Sequence, residues 1–400
     1  MARPNQAPTA HPPTAHRPGL LRLAVACLAL AGAAVPAIAE TWLVGPQGQP
    51  MTFTQALAQA RDGDTIQVLP GLYKGEVGVI TQRRLHVVGM DPRPVFDADG
   101  KHAEGKATWI VRDGDITIEN IEFRNNRVPD GNGAGIRFEK GRLTLRRCRF
   151  FDNQNGLLTA NFDDAELTIE DSEFAQAPRV VGSLPHLLYV GRIARLSVSG
   201  SRFHQGFEGH LIKSRARVNR IAYNLIVDGP GGGASYEIDL PNGGDAVIIG
   251  NVIGQSRDTQ NPALVAYGAE GRAWQRNRLL LSHNTMISDY PLAWYLRAWP
   301  DKLGDDTEIR AVNNLTVGAG LFSLGASGRF DGNYPAFSSM LVEPSMLAFA
   351  LKPDSILRGR ADDPATLAGV EARPTAEFHL PIGTQPLKPP ASWTPGALQR

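Results

Sequence analysis

Only two cysteines, Cys27 and Cys148, occur in 400 residues, which excludes the disulfide framework of a small secreted domain. Excess charge of either sign is also missing, with 41 basic and 40 acidic residues. That balance leaves no electrostatic footprint for a nucleic-acid partner. No apolar run after residue 39 approaches the length of a membrane span. The GPGGG run at 229–233 is not a phosphate loop, because a strand pattern and not a helix follows it. Turn formers, by contrast, are abundant. The 42 glycines and 29 prolines suit a turn-dense all-β chain.

The one long apolar run, LAVACLALAGAAVPAIA, follows Arg3, Arg17 and Arg22 and ends in Ala37-Ile38-Ala39. This is the pattern of an export leader, residues 1–39, cleaved before Glu40. The expected location is therefore periplasmic or secreted, with no membrane span left after cleavage. Cleavage also removes Cys27, so Cys148 has no partner for a disulfide and is expected as a small core residue.

Eight segments between residues 115 and 320 share one pattern: two alternating apolar positions, an apolar anchor, then polar turn residues. They are DITIENIEFRNN, RLTLRRCRFFDN, ELTIEDSEFAQA, RLSVSGSRFHQG, RVNRIAYNLIVDG, AVIIGNVIGQS, RLLLSHNTMISD and EIRAVNNLTVG. Their anchors, Phe123, Phe150, Phe174, Phe203, Ile226, Ile253, Met286 and Val317, lie 23 to 33 residues apart. A period of that size means one supersecondary unit per repeat, each burying its apolar face on the next. Short alternating strands broken by Asn and Gly make the unit a coil of a parallel β-solenoid. The expected fold is thus all-β, a single domain over 40–340 of about ten coils. A helix near 54–61 closes its N-terminal end, and 341–400 forms an irregular Pro-rich tail. Asn residues at the turns (Asn125, Asn126, Asn153, Asn155, Asn251, Asn284, Asn313, Asn314) are read as structural, forming ladders between coils.

Residues 186–243 carry more charge and aromaticity than a scaffold needs: HLLYVG, EGHLIKSRARVNRIAYN and SYEIDLPNGG. Strand alternation assigns the faces. It turns Leu188, Val190, Ile212, Ile238, Leu240, Leu264, Ala266, Trp294 and Leu296 inward. It turns Tyr189, Leu211, Lys213, Arg215, Glu237, Asp239, Tyr267, Tyr295 and Arg297 outward. Tyr189, Lys213, Asp239, Tyr267 and Tyr295 then form an outer column at coil-length spacing. Three phenols, an ammonium and a carboxylate along one exposed face suit a sugar chain, whose apolar ring faces stack on aromatic side chains. His186 and His210, 24 residues apart, are expected to stack in one column, as acid–base groups, metal ligands or structural histidines at strand entries.

EGHLIKSRARVNRIAYN followed by EIDLPNGGDAVIIGNVI resembles the catalytic stretch of the alginate lyase and chondroitinase B family. The repeats over residues 41–335 resemble the right-handed parallel β-helix of the wider pectate-lyase-like superfamily. The resemblance implies that Glu208 contributes to a calcium site, that Lys213 is the catalytic base followed by Ser214, and that Asn224 is the turn asparagine. Ile238, Leu240 and Gly243 fall on the family's Leu, Leu and Gly positions. The family's Arg-His pair is replaced by Pro241-Asn242, so Arg215 or Arg217 would have to supply the missing charge.

The reaction so implied is β-elimination at a uronate of an acidic polysaccharide. It needs a base (Lys213), a cation for the substrate carboxylate (Arg215, Arg217 or calcium near Glu208) and a proton donor (Tyr236 or Tyr189). A C5 epimerase shares the proton abstraction. Glu237 and Asp239, at i and i+2, would alternatively serve an inverting glycosidase, or with Asp245 and Glu208 a calcium site. Tyr189, His186, Arg217, Asn242, Tyr267 and Tyr295 are the expected substrate contacts, and a non-catalytic glycan-binding scaffold would use the same three tyrosines for stacking. The sequence leaves these readings open, together with the oligomeric state.

Overall fold

A computed structural model describes residues 39–399, so the expected leader lies outside the described residues except for Ala39. Three long parallel sheets of 12, 10 and 11 strands form a β-solenoid. Each coil gives one strand to each sheet, as in Arg142–Arg146, Arg149–Phe151 and Asn155–Thr159. Among the described residues no helix is long and apolar enough to cross a membrane.

The repeats fold this way because like side chains meet at one register. Ile116 and Ile118 are fully buried, and they align with Leu143 and Leu145 and then with Leu167 and Ile169. The anchors other than Val317 form a second interior file; Thr316 and not Val317 aligns with Met286. Tyr73, Phe96, Phe123, Phe150, Phe174 and Phe203 stack in succession, with ring centroids 4.5 to 6.1 Å apart. Each such ring contributes about 1.5–3 kcal/mol by burial, and each stacked pair about 0.5–1.5 kcal/mol more. Ile226, Ile253 and Met286 continue the file.

Buried polar turns are satisfied by a ladder. In the file Asn224, Asn251, Asn284, Asn314 and Asn333, the side-chain oxygen of each of the last four accepts from the backbone and side-chain nitrogens of the member before it, at 2.8–3.0 Å. Ser201 and Ser172 extend it toward Cys148. The Cys148 thiol is fully buried, which pushes its pKa up to about 12.

The helix Phe53–Gln59 starts at a capping box between Thr52 and Gln55 and buries Phe53, Ala56 and Leu57. Phe53 stacks on Trp109 at 3.9 Å. After residue 340 the chain makes two antiparallel hairpins, Leu341–Glu343 with Ala348–Leu351 and Ala376–Phe378 with Thr384–Pro386. Phe349, Leu351, Phe378 and Ala397 pack on Leu225, Val252, Leu315 and Val317 of the 11-stranded sheet. Ala368 and Ala372 pack on Val247, Ile249 and Leu280 of the 12-stranded sheet. These apolar contacts go to two of the three sheets, and the side chains expected to form the site lie on the third, the 10-stranded one.

Candidate functional site

The strands His186–Val190, Ile212–Ser214, Ile238–Leu240, Ala263–Tyr267 and Ala293–Ala298 are neighbours in the 10-stranded sheet. Their register puts Tyr189 beside Lys213, Lys213 beside Asp239, Asp239 beside Ala266 and Ala266 beside Arg297. The outward column therefore contains the first three expected members but neither Tyr267 nor Tyr295.

Tyr267 and Tyr295 are core residues. Tyr267 is 0 % exposed and its hydroxyl donates to the Gly244 carbonyl at 2.6 Å. Tyr295 is 1 % exposed, donates to the Gly318 carbonyl at 3.0 Å, and has a pKa pushed up to about 12 by burial. Tyr267 aligns with Leu240, an inward position, and not with Asp239. A slip of one residue in the expected alignment reverses the face. Ala266, expected inward, takes the outer position for the same reason. Trp294 is partly exposed beside Arg297, not inward.

Glu237 is the second correction. Strict alternation places it beside Asp239, yet it is fully buried. The physical reason is that two consecutive residues are buried where each strand begins: Leu187–Leu188, Leu211–Ile212, Glu237–Ile238, Leu264–Val265 and Tyr295–Leu296. Leu211, expected outside, belongs to this file. Glu237 falls in register between Leu211 and Leu264, and both carboxyl oxygens lack a hydrogen-bond partner. Burial, and then nearby Asp228, raises its pKa well above the usual carboxylate range. Glu237 is therefore a neutral acid in the core, and it cannot pair with Asp239 across one substrate.

Asp239 faces the other way, into a charged cluster. Its Oδ2 lies 3.4 Å from Lys213 Nζ and 3.4 Å from His210 Nε2. Burial raises its pKa to about 6, against the opposing pull of Lys213. Lys213 also meets Glu270 at 3.3 Å. Arg215 binds both oxygens of Glu270 and donates to Asn242 Oδ1 at 2.5 Å and to the Tyr189 hydroxyl at 3.4 Å. These Arg215 bonds hold the Glu270 carboxyl below its ordinary pKa. Lys213 and Arg215 both sit over the Tyr189 ring, at 5.8 and 5.9 Å. Arg215, not Arg217, thus brings a guanidinium next to Lys213, because Arg217 lies over Trp274.

The histidines stack as expected, with ring centroids of His186 and His210 4.8 Å apart and Tyr236 continuing the file at 5.0 Å. His186 Nδ1 accepts the His210 backbone N–H at 2.9 Å, and His210 Nδ1 accepts that of Tyr236 at 3.3 Å. Burial, with Lys213 and Arg215 nearby, lowers the His186 pKa to about 3. Burial, then His186 and Lys213, takes His210 well below its usual value. Both rings are neutral, and the accepted bonds leave the proton on Nε2. His210 so points an N–H at Asp239. Burial, followed by Asp239, raises the Tyr236 phenol.

The residues considered for calcium do not converge. Glu208 accepts from the Gly182 backbone N–H at 2.7 Å, Asp245 is held by Arg278 at 2.8 Å, and Glu237 is inside the core. Among the described residues no group of three His, Cys, Asp or Glu side chains is arranged to hold a metal ion.

Glu270 of the cluster, and Arg297 three strands from Lys213 in the column, carry a place that the sequence pattern does not give. Glu270 follows the strand Ala263–Tyr267 in a turn, where no periodicity points to it. Arg297 was placed outward but given no role. Beyond Tyr189, a cavity of about 350 Å³ is lined by Lys106, Asp130, Asn132, Arg137, Leu158 and Asn161 among others. A cavity of about 430 Å³ near Ile287, Val317 and Phe337 holds none of these groups and is mostly apolar.

No protein-family model matches the chain, and no curated protein matches it by sequence. Solved structures do. Pectate lyase Pel9A superposes with a TM-score of 0.57 and 15 % identity, covering 90 % of this chain and 96 % of that one. Two others match with lower scores. An ORF18 protein of Geobacillus virus E2 has a TM-score of 0.43 and 10 % identity, over 70 % of this chain and 54 % of that one. An alginate lyase from Paenibacillus sp. str. FPU-7 has 0.41 and 15 %, over 74 % and 99 %. The likeness to the pectate lyase is one of fold, a parallel β-solenoid.

Proposed function

We propose that the chain is an exported enzyme that cleaves an acidic polysaccharide by β-elimination at a uronate. One observation carries the reading. Lys213 and Arg215 converge on a single carboxylate, Glu270, on a turn beside the outward column. A carboxylate held by a lysine and a two-pronged guanidinium marks the position that a uronate carboxylate would take. Glu270 stands on a turn, and displacing it would free Arg215 for the substrate while Lys213 stays held by Asp239.

In this reading Arg215, braced by Asn242, neutralises the substrate carboxylate and so stabilises the charge that develops when C5 loses its proton. Lys213 Nζ is the base that takes that proton. The C4–O bond breaks, a C4–C5 double bond forms, and Tyr189 or Tyr236 gives its phenolic proton to the departing oxygen. Asp239, held by Lys213 and by the neutral His210, fixes the direction of the lysine. No step is routed through calcium. The Glu237/Asp239 hydrolase is set aside because Glu237 is inside the solenoid.

The test is an ultraviolet screen for unsaturated products over alginate, pectate and glycosaminoglycans. Absorbance that grows with wild type supports elimination. New reducing ends without absorbance would replace it by hydrolysis, and altered C5 configuration without chain cleavage would replace it by epimerisation. Export rests on the leader-like start, and N-terminal sequencing from an export-competent host should begin near Glu40. A glycan-binding scaffold is the second reading, favoured by the two carboxylates that hold Lys213 in the resting site.

A further inference from the structure

The outward column that carries Lys213 continues in both directions. Below it the register runs from Lys213 to Tyr189, Leu158 and Arg137; above it, from Lys213 to Asp239, Ala266 and Arg297. An arginine therefore stands three strands from Lys213 on each side. At about 4.8 Å per strand each lies about 14 Å away along the solenoid axis.

Neither guanidinium has an ion-pair or hydrogen-bond partner among the described residues. Arg137 makes no hydrogen bond or ion pair among the described residues, and its Nε is buried without a partner. It lines the 350 Å³ cavity beside Tyr189. Lys106, in the same cavity, is already bound to Glu139 at 2.9 Å. Asp130 and Glu139 act on Arg137 only through space. Arg297 likewise forms no hydrogen bond or ion pair among the described residues, and its guanidinium lies 5.7 and 4.9 Å from the ring centroids of Trp294 and Trp299. Leaving a partly buried arginine without a counter-charge is costly, whereas a planar carboxylate satisfies it with two parallel bonds. The surroundings suit a sugar. Leu158 and Tyr189 give an apolar floor on one side and the two tryptophans a stacking wall on the other.

We propose that Arg137 and Arg297 are two carboxylate-binding subsites that hold a polyuronate along the solenoid axis across Lys213. The inference rests on the reading of the column as a polysaccharide site and adds a mode of action. A groove with an anion anchor at each end takes the interior of a long chain, so cleavage is internal and not from a chain end.

The experiment compares wild type, Arg137→Gln, Arg297→Gln and the double variant on uronate oligosaccharides of increasing length. The expected result is a KM for long chains raised about tenfold or more by each single change, the worth of a hydrogen bond to a charged group. The kcat should stay as in wild type. Trisaccharides, too short to reach either arginine, should show no change. Early products from polymer should be mixed in length. Calorimetry in the Lys213→Ala background, with the same oligosaccharides, reads binding without turnover. Length- and arginine-dependent binding there upholds the subsites even if no lyase activity exists. Turnover with unchanged KM in both arginine variants, or equal effects on short and long chains, overturns the subsites while leaving the lyase reading intact. Absence of any polyuronate binding overturns both.

Discussion

The 11-stranded and 10-stranded sheets share one parallel register and put it to opposite uses. In the first, identical rings from Tyr73 to Phe203 stack inside, and each coil repeats its neighbour. In the second, the outer positions change from coil to coil: arginine, leucine, tyrosine, lysine, aspartate, alanine, arginine. Repetition stabilises, because every member finds a like partner at strand spacing. Where repetition stops on an exposed face, the side chains are no longer serving the stack. The C-terminal hairpins follow the same division, packing their apolar residues on the two other sheets.

The comparison breaks first at the repeating side. Truncating Phe150, stacked between Phe123 and Phe174, should cost about 3–5 kcal/mol, read as a lower denaturation midpoint, with site geometry kept in whatever folds. Asn251→Ala should cost about 3 kcal/mol, since it leaves the amide donors of Asn224 without their acceptor. A loss below about 1 kcal/mol would show that water replaces the ladder.

Glu237 sharpens the contrast from the other side, as an acid inserted into a repeating leucine file. Glu237→Leu should stabilise by about 1–3 kcal/mol at neutral pH, because it removes a buried carboxyl without partners. The sign follows from the raised pKa. The folded acid stays neutral while the unfolded one ionises above about 4.5. Wild-type stability from this group is therefore fully present at lower pH and declines as pH rises toward the folded value. The gain from the leucine should grow over the same range. A destabilised Glu237→Leu would mean that the carboxyl has a partner in solution.

A smaller effect concerns Asp239. If its carboxylate must be ionised to hold Lys213, activity should rise with pH through about 6, and that limb should vanish in Asp239→Asn. An unchanged limb would assign it to another group. Tyr267→Phe, by comparison, should lose only about 1 kcal/mol of stability and leave glycan binding alone, whereas Tyr189→Ala should weaken binding.

The solenoid was legible because its signal is repetition: one anchor per coil and alternating apolar pairs, summed over eight segments. Tyr189, Lys213 and Asp239 were legible for the same reason, as was the stacking of His186 on His210. Tyr267, Tyr295 and Glu237 were misplaced because alternation fails where two residues in succession turn inward at a strand start. The doubled apolar pairs Leu187–Leu188 and Leu264–Val265 were the visible sign of that, and Glu237 hid it by being polar. Glu270 had no local signal, since its role comes only from the distance between a turn and two cations in another coil. The choice of Arg215 over Arg217 likewise needed side-chain geometry, because both lie near the same strand end.

The account stands on Lys213 as the reacting group of a binding face. Measuring turnover and oligouronate affinity together, in wild type and in Lys213→Ala, separates the enzyme from a scaffold. The account predicts that Lys213→Ala keeps most of the affinity, while formation of unsaturated product falls by about a hundredfold or more, the worth of a general base. Full activity in that variant, or no wild-type turnover on any acidic polysaccharide that binds, would contradict it.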